Sequence, residues 1–211
     1  MFLGFLKDLV KIPIVDEIII TNNSPENTPD DLILNHEKIR MFSVGENLYP
    51  GPSYNHEFSR IKNEICCMMS DDVIFDIKVL YLIDMFLEPG KVVLCVPKEQ
   101  TSDKLLKGNL ELLPFTEEMN NRKDLFHFGS LIFMCKNDWI NIPAGLNFFY
   151  GDMWILDTMF LRKKEIFILK DFFYHSPFSN TINTFSNKEK LYQKESMLYK
   201  GLLENFKRNL L

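Results

Sequence analysis

Hydrophobic positions along this chain of 211 residues follow two patterns, short apolar runs and longer stretches with helical spacing. The apolar runs predict strands at residues 16–21, 39–44, 65–69, 92–96, 125–135 and 166–174. The helical spacing predicts helices at residues 2–10, 28–35, 53–63, 77–88, 152–164 and 188–210. Because helices and strands alternate along the chain, we expect an α/β fold.

The run at residues 65–69 has five apolar residues without alternation, which is typical of a strand covered on both faces, as in a parallel sheet. Asp71 and Asp72 follow it directly, before the helix predicted at residues 77–88. The carboxyl ends of strands are where open α/β sheets bind ligands, and oxygen ligands there can hold a hard cation against a phosphate. The pattern therefore predicts a diphosphate site.

Composition is that of a globular protein, with 46% hydrophobic and 13% aromatic residues. We expect one domain over residues 1–186 and a C-terminal amphipathic helix, residues 187–211, packed on it. Charged residues interrupt the apolar N-terminus, which argues against a signal peptide, and no apolar run reaches the roughly 18 residues of a membrane span. These features favour a cytoplasmic protein.

The cysteines Cys66, Cys67, Cys95 and Cys135 lie in apolar runs and lack CxxC spacing. We expect reduced, buried thiols, with neither a zinc site nor a disulfide framework.

Charge is unevenly distributed along the chain. The formal net charge is −5, but residues 160–211 carry +5 and the preceding residues −10. A basic C-terminal region can contact an anionic acceptor or an anionic membrane surface, although solvated charged helices have the same composition.

Several short motifs occur in a characteristic order: NNSP after the first strand, GENLYPGPSYN, SDD after the strand at residues 65–69, and GSLIFMCKNDWINIP, FFYGDMWIL and KDFFYHSPFSNT near the end. Together they cover most of residues 14–182 and resemble family-2-type glycosyltransferases of the GT-A fold. The resemblance implies a single Rossmann-like GT-A domain with a mostly parallel central sheet. It also implies a nucleotide-sugar donor, a divalent metal at a DxD-type motif and sugar transfer to an acceptor hydroxyl.

The metal site implied by the resemblance involves Asp72 and His175, with Asp71 contacting the ribose or the sugar. Ser70 replaces the usual first Asp of the motif, and this lowers the negative charge available to Mg²⁺ or Mn²⁺. Taken alone, Asp72 also suits a helix cap and His175 an ordinary loop histidine.

Asp152 resembles the carboxylate that acts as catalytic base in inverting members, where it takes the proton of the attacking hydroxyl. The alternative role is an N-cap, because Asp152 opens a predicted helix. Trp154 is a candidate for stacking on the acceptor sugar, and the alternative is a core tryptophan.

Asn22 and Asn23 correspond to the family's nucleobase loop, where they would contact the uracil of a UDP sugar, although a simple turn has the same composition. Asn55 matches an asparagine that orders the donor pocket or its helix. The family's usual first strand has no counterpart here, because the sequence opens in the helix that should follow it. Either the start is truncated or the pocket is built differently.

The function implied is a metal-dependent, inverting glycosyltransferase that uses a UDP sugar. The acceptor is a glycan or hydroxymethylated DNA, since the chain also resembles the small enzymes with which phages glycosylate their modified cytosines. The basic C-terminal region favours DNA and the overall acidity opposes it. Two alternatives remain: a non-catalytic relic that binds sugar nucleotides, and another phosphate-binding α/β protein such as a nucleotidyltransferase.

Overall fold

The computed structural model describes residues 2–23, 26, 28, 31–44, 48–71, 73–97, 111–115, 128–172, 174–175 and 187–210. Its helices are α1 (Phe2–Leu9), α2 (Pro50–Phe58), α3 (Lys78–Phe86), α4 (Gly151–Leu161) and α5 (Lys188–Leu210). Its strands are β1 (Ile18–Asn22), β2 (Ile39–Ser43), β3 (Ile65–Met69), β4 (Ile74–Phe75), β5 (Lys91–Pro97), β6 (Glu111–Pro114), β7 (Leu131–Cys135), β8 (Glu165–Phe172) and β9 (Tyr174–His175).

A five-stranded sheet with the order β3-β7-β5-β8-β6 forms the centre of the molecule. It is mixed rather than mostly parallel: β5 and β8 pair in parallel, and the other three pairs are antiparallel. Strand β7 is buried on both faces, but β3, for which this was predicted, is buried only on the face of Cys66 and Met68, and Cys67 on its other face is exposed. Orientation was not predicted either, because helices that cover a sheet impose the same apolar pattern on parallel and antiparallel strands. Two smaller sheets join β1 with β2 in parallel and β4 with β9 antiparallel.

Helices cover both faces of the central sheet. One apolar cluster joins the sheet to α2, α4 and α5, and includes Met68, Ile132 and Met159. The other joins it to α1 and α3, and includes Leu6 and Val79. The α/β expectation and the amphipathic C-terminal helix are thereby confirmed.

Several predicted elements shift. The helix expected at residues 53–63 begins earlier, at Pro50, because proline fits the first turn of a helix. A 3-10 turn, Leu32–Asn35, replaces the second half of the helix expected at 28–35, and the Asp31 side chain caps it by accepting from the Ile33 N–H at 2.9 Å. Most of the irregular stretch expected at 98–124 lies outside the described residues, although β6 falls within it.

The cysteines also differ from expectation in one position. Cys66, Cys95 and Cys135 are buried free thiols, but Cys67 is exposed. Among the described residues, no helix combines the length and apolar character that crossing a membrane requires.

Candidate active site

The candidate site begins at the turn that follows β3. The Ser70 N–H donates to the Ser130 carbonyl at 3.1 Å, and the Val73 N–H donates back to the Ser70 carbonyl at 3.1 Å. The first bond forms because β7 runs antiparallel to β3, so that the end of one strand lies beside the start of the other, and the second closes the turn after β3. The exposed Asp71 therefore stands next to the short 3-10 turn Phe128–Ser130.

Asp152 reaches the same place from the first turn of α4. An ideal Cβ built on Gly129 would collide with the Asp152 carboxylate, so the carboxylate lies directly against the Gly129 backbone. Any side chain at position 129 would displace it. Because Gly129 has no Cβ, Asp152 of α4 can approach the turn after β3, although the two are about eighty residues apart in sequence.

Burial raises the pKa of Asp152 to about 6, and the backbone N–H groups of Met153 and of Asp152 itself offset part of this effect. The Met153 N–H donates to Asp152 Oδ1 at 2.7 Å. A carboxylate with a pKa near 6 is ionised at neutral pH yet is a stronger proton acceptor than an exposed aspartate. This is the behaviour expected of a general base.

Tyr54 connects α2 to this site. Its side chain is hydrogen-bonded to that of Ser70. Burial raises the pKa of Tyr54, and the negative charges of Glu57, Asp152 and Asp71 raise it further. The hydrogen bond with Ser70 lowers this pKa but does not outweigh burial. Its phenol therefore stays protonated, as a neutral hydrogen-bonding group. The effect of both acids on one hydroxyl places Asp71 and Asp152 in one electrostatic environment.

His175 lies beside the turn through its backbone. In the antiparallel pair of β4 and β9, His175 stands opposite Ile74, two residues beyond Asp72. The Asp72 residue and the His175 side chain lie outside the described part of the structure. Within the described part, no three His, Cys, Asp or Glu side chains form a metal-binding cluster. The pairing brings the backbone of His175 beside the strand that follows the Ser70–Asp71 turn, and the metal role of Asp72 and His175 stays a prediction.

The three asparagines occupy different positions. The Asn22 amide donates to the Thr28 hydroxyl. The Asn23 amide donates to Ser53 Oγ at 3.2 Å, and its oxygen accepts from the Leu48 N–H at 3.1 Å. The two bonds of Asn23 hold the residue after β1 against the start of α2, where Ser53 precedes Tyr54. Contact with a nucleobase stays a prediction.

Asn55 fastens α2 to the rest of the molecule. Its amide donates to the Ile142 carbonyl and its oxygen accepts from the Ile142 N–H, both at 2.8 Å. With both amide groups used, Asn55 orders α2, which agrees with the second of the two roles expected for it.

Trp154 requires a correction, because its side chain is only 4% exposed and belongs to the core. Its indole N–H donates to the Asn141 carbonyl at 3.1 Å, and its ring packs edge-on against Phe206 at 5.5 Å between centroids. No ring face is open to an acceptor sugar. The core alternative describes this residue, because helix α5 covers the side of α4 on which it lies.

Glu195 supports the site from α5 and was not predicted. This carboxylate is 1% exposed and accepts hydrogen bonds from the backbone N–H groups of Asn147, Phe148 and Phe149, at 3.2, 3.1 and 2.9 Å respectively. It thereby fixes the loop that leads into α4 and to Asp152. The signal available in the sequence was an acid at a position of α5 that helical spacing assigns to the core.

The fold and the site define an α/β protein with an acidic site at the carboxyl end of β3. The model of the family described as "Glycosyl transferase family 2" matches residues 3–141, more than half of the chain. The chain belongs to this family, and its general activity is therefore that of a glycosyltransferase. The matched segment contains Tyr54, Asp71 and Gly129, while Asp152 and His175 lie beyond it.

Among solved structures, the chain is similar to 4-diphosphocytidyl-2C-methyl-D-erythritol synthase from Anaerococcus prevotii. The TM-score is 0.50 with 15% sequence identity, over 93% of this chain and 85% of the other. At this identity the likeness shows the fold alone. A search of curated proteins finds no match to the chain.

Proposed function

We propose that this protein transfers a sugar from a UDP sugar to an acceptor hydroxyl with inversion at the anomeric carbon, and that Asp152 is its catalytic base. The observation that carries the proposal is the contact of the Asp152 carboxylate with Gly129, beside the Ser70–Asp71 turn. That turn is where a diphosphate site was expected. A proton acceptor and a site for the leaving group would then flank one sugar.

In the proposed reaction the acceptor oxygen attacks the anomeric carbon and forms the new glycosidic bond. The bond from that carbon to the diphosphate oxygen breaks, and its electron pair leaves with the nucleotide diphosphate. The hydroxyl proton moves to the Asp152 carboxylate, which is supported by its raised pKa of about 6. Asp71 would contact the ribose or the sugar, and Asn22 and Asn23 the uracil.

Asp72 and His175 would hold Mn²⁺ or Mg²⁺. Support comes from their donor chemistry, since carboxylate and imidazole together suit Mn²⁺, and from the β4–β9 pairing that brings His175 opposite Ile74. The chemistry that such a metal supplies is neutralisation of charge on a leaving diphosphate. Ser70 uses its side chain on Tyr54 and contributes no carboxylate.

A donor-hydrolysis assay tests the proposal without knowledge of the acceptor. The protein is incubated with a panel of UDP sugars and Mn²⁺, and free UDP is measured for wild type, Asp72→Ala and Asp152→Asn. We expect turnover in wild type, its loss on chelation, and its loss in both variants. Asp8→Asn, at an exposed position of α1, serves as the control that keeps activity.

Other outcomes identify the alternatives. Binding of UDP sugars without turnover in wild type would contradict the enzyme and support a non-catalytic relic. Pyrophosphate formed from a nucleoside triphosphate and a sugar phosphate would support a nucleotidyltransferase. The acceptor is then determined by incubation with hydroxymethylcytosine DNA in parallel with glycan mixtures, and modification of one but not the other assigns it.

A further inference from the structure

Four aromatic side chains form a row outside the core: Tyr49 before α2, Phe148 and Phe149 before α4, and Tyr192 on α5. Ring centroids are 4.5 Å apart for Tyr49 and Phe148, 6.3 Å for Phe148 and Phe149, and 5.4 Å for Phe149 and Tyr192. None of the four belongs to either apolar cluster of the described core. Tyr192 is 48% exposed and the other three are half-buried. The aromatic row therefore presents accessible ring surface.

The aromatic row lies at the end of α2 and α4 that carries the candidate active site. A Cβ on Gly51 would stand 2.3 Å from the Leu146 carbonyl oxygen, and one on Gly151 would stand 3.7 Å from the same atom. The first turns of the two helices therefore meet at this carbonyl. Tyr49 lies two positions before Gly51, and Asp152 follows Gly151 directly. The row and the proposed base thus share one end of this helix pair.

A buried charge holds the two phenylalanines. Glu195 is 1% exposed and accepts hydrogen bonds from the N–H groups of Phe148 and Phe149, at 3.1 and 2.9 Å. Burying a carboxylate costs free energy, and hydrogen bonds offset that cost without making the position better than an apolar one. The carboxylate therefore serves the conformation of the loop, and it fixes the backbone from which both rings project.

Tyr49 is held by a strained backbone. Its φ of 60° and ψ of 166° lie in a region that is essentially restricted to glycine. Pro50 follows it, and a residue before proline normally has an extended backbone with negative φ. Strain of this kind is concentrated at binding and active sites. Two separate features thus hold the aromatic row at a cost in stability, which is typical of a preorganised binding surface.

The chemistry of the row suits sugar rings. A pyranose ring has a face of C–H groups that can lie on an aromatic ring while its hydroxyl groups stay in water. Sites for small polar ligands commonly combine such aromatic surface with a few hydrogen-bonding groups, which tyrosine hydroxyls provide. Since the row contains several rings in succession, it suits several consecutive sugars.

The charges on α5 favour a sugar over DNA. Bases also stack on aromatic rings, but binding of DNA relies on Lys and Arg beside its phosphates. Two positions of a helix correspond to about 200° of rotation, so Lys190 and Lys194 lie on the side of α5 opposite Tyr192. Lys188 lies nearer to the Tyr192 side, together with the acidic Glu189. This part of α5 therefore presents no net positive charge beside the row.

We propose that the aromatic row binds an oligosaccharide of at least two sugars, and that the acceptor of the reaction is a glycan rather than DNA. The sugar that accepts lies at the Asp152 end, and the sugars before it stack on Phe149 and Tyr192. The acceptor role rests on the proposed function, whereas the binding of a glycan does not.

Saturation-transfer NMR tests binding to the full chain. The ligands are cellotetraose, maltotetraose and chitotetraose, with glucose as the monosaccharide. We expect irradiation of the aromatic protons of the protein to reach the C–H protons of at least one tetrasaccharide, and these protons to shift upfield, as they do above an aromatic ring. Glucose should bind at least about tenfold more weakly, because it fills one position of the row. Failure of all three tetrasaccharides to bind, or preferred binding of a hydroxymethylcytosine oligonucleotide, would overturn the proposal.

Variants at Tyr192 give the matched test on the protein. Tyr192→Leu keeps an apolar side chain beside Phe149 but removes the ring, so affinity for the tetrasaccharide should fall about tenfold. Tyr192→Phe keeps the ring and should retain binding. Met197→Leu, at a position of the same helix that is 77% exposed, is the control, and circular dichroism checks that each variant folds. Equal affinities of Tyr192→Leu and wild type would refute the role of the row.

The binding assay and the donor-hydrolysis assay can fail separately. Release of UDP without binding of any of the tetrasaccharides would refute the aromatic row as acceptor site and leave the transferase in place. Binding of a tetrasaccharide without release of UDP in wild type would refute the transferase, and with it the acceptor role, while the glycan-binding surface would stand.

Discussion

The buried carboxylate of Glu195 and the half-buried carboxylate of Asp152 lie near the two ends of the segment 147–152 and have opposite surroundings. Glu195 accepts hydrogen bonds from three backbone N–H groups of residues 147–149. Asp152, three residues beyond that loop, accepts a hydrogen bond from the neighbouring Met153 N–H at the start of α4, and burial raises its pKa to about 6. The hydrogen bonds of Glu195 are satisfied, and this residue fixes the conformation of residues 147–149. Asp152 keeps a raised proton affinity, which suits a group that accepts a proton during catalysis.

The largest expected effect is on Asp152. Asp152→Asn removes the proton acceptor at nearly unchanged volume, so donor hydrolysis should fall by about 10²–10⁴-fold while the protein stays folded. Steady-state release of UDP measures the effect. Retention of full activity would refute a catalytic role for Asp152 and remove the contrast with Glu195.

Glu195→Ala is expected to act on stability. It leaves three N–H groups of residues 147–149 without their acceptor, at a cost of about 3 kcal/mol in the free energy of unfolding. Urea unfolding measures this cost. Glu189→Ala, at an exposed position of the same helix, is the control and should change stability by less than about 0.5 kcal/mol. Equal effects in the two variants would refute a structural role for Glu195.

Gly129→Ala tests the approach of Asp152 to the turn. The added methyl group collides with the Asp152 side chain, so the carboxylate must move. Displacement of a catalytic group by about 1 Å can cost about 10²-fold in rate, and we expect a loss of that size. Gly201→Ala meets nothing within 4 Å and serves as control. It should keep activity and gain up to about 1 kcal/mol, because alanine is the better helix former.

The smallest effect concerns stability and pH. The folded state binds the Asp152 proton more tightly than the unfolded state, whose ordinary pKa is 3.8. The stabilisation from this group is therefore complete below pH 3.8 and is lost as pH rises through about 6. The loss is about 2 kcal/mol after allowance for solvent screening. Urea unfolding at several pH values should show that the free energy of unfolding decreases less with rising pH in Asp152→Asn than in wild type. An identical decrease in the two proteins would contradict the raised pKa of Asp152.

The sequence was sufficient to predict the α/β class, the strand β3 with Asp71 just beyond its end, and Asp152 in the first turn of a helix. These depend on local patterns, which apolar periodicity and helix starts reveal. Strand orientation was not predictable, because residues covered on both faces look alike in parallel and antiparallel sheets. The roles of Gly129 and Glu195 were also missed, since each depends on a partner distant in sequence.

The predicted acceptor role of Trp154 was wrong for the same reason, because it also depends on packing between distant parts of the chain. Its position two residues after Asp152 favoured a place in the site, but helical geometry turns neighbouring side chains to different faces. Helix α5, whose packing on α4 involves Phe206, decides which face is buried.

The pH dependence of donor hydrolysis tests the central claim most directly. If Asp152 is the base, kcat/KM for wild type should rise about tenfold per pH unit below about pH 6 and level off above it, because the carboxylate must be ionised to accept the proton. The residual activity of Asp152→Asn should lack this rise. A wild-type profile that is flat from pH 5 to pH 8, or a rise that persists unchanged in Asp152→Asn, would contradict the account.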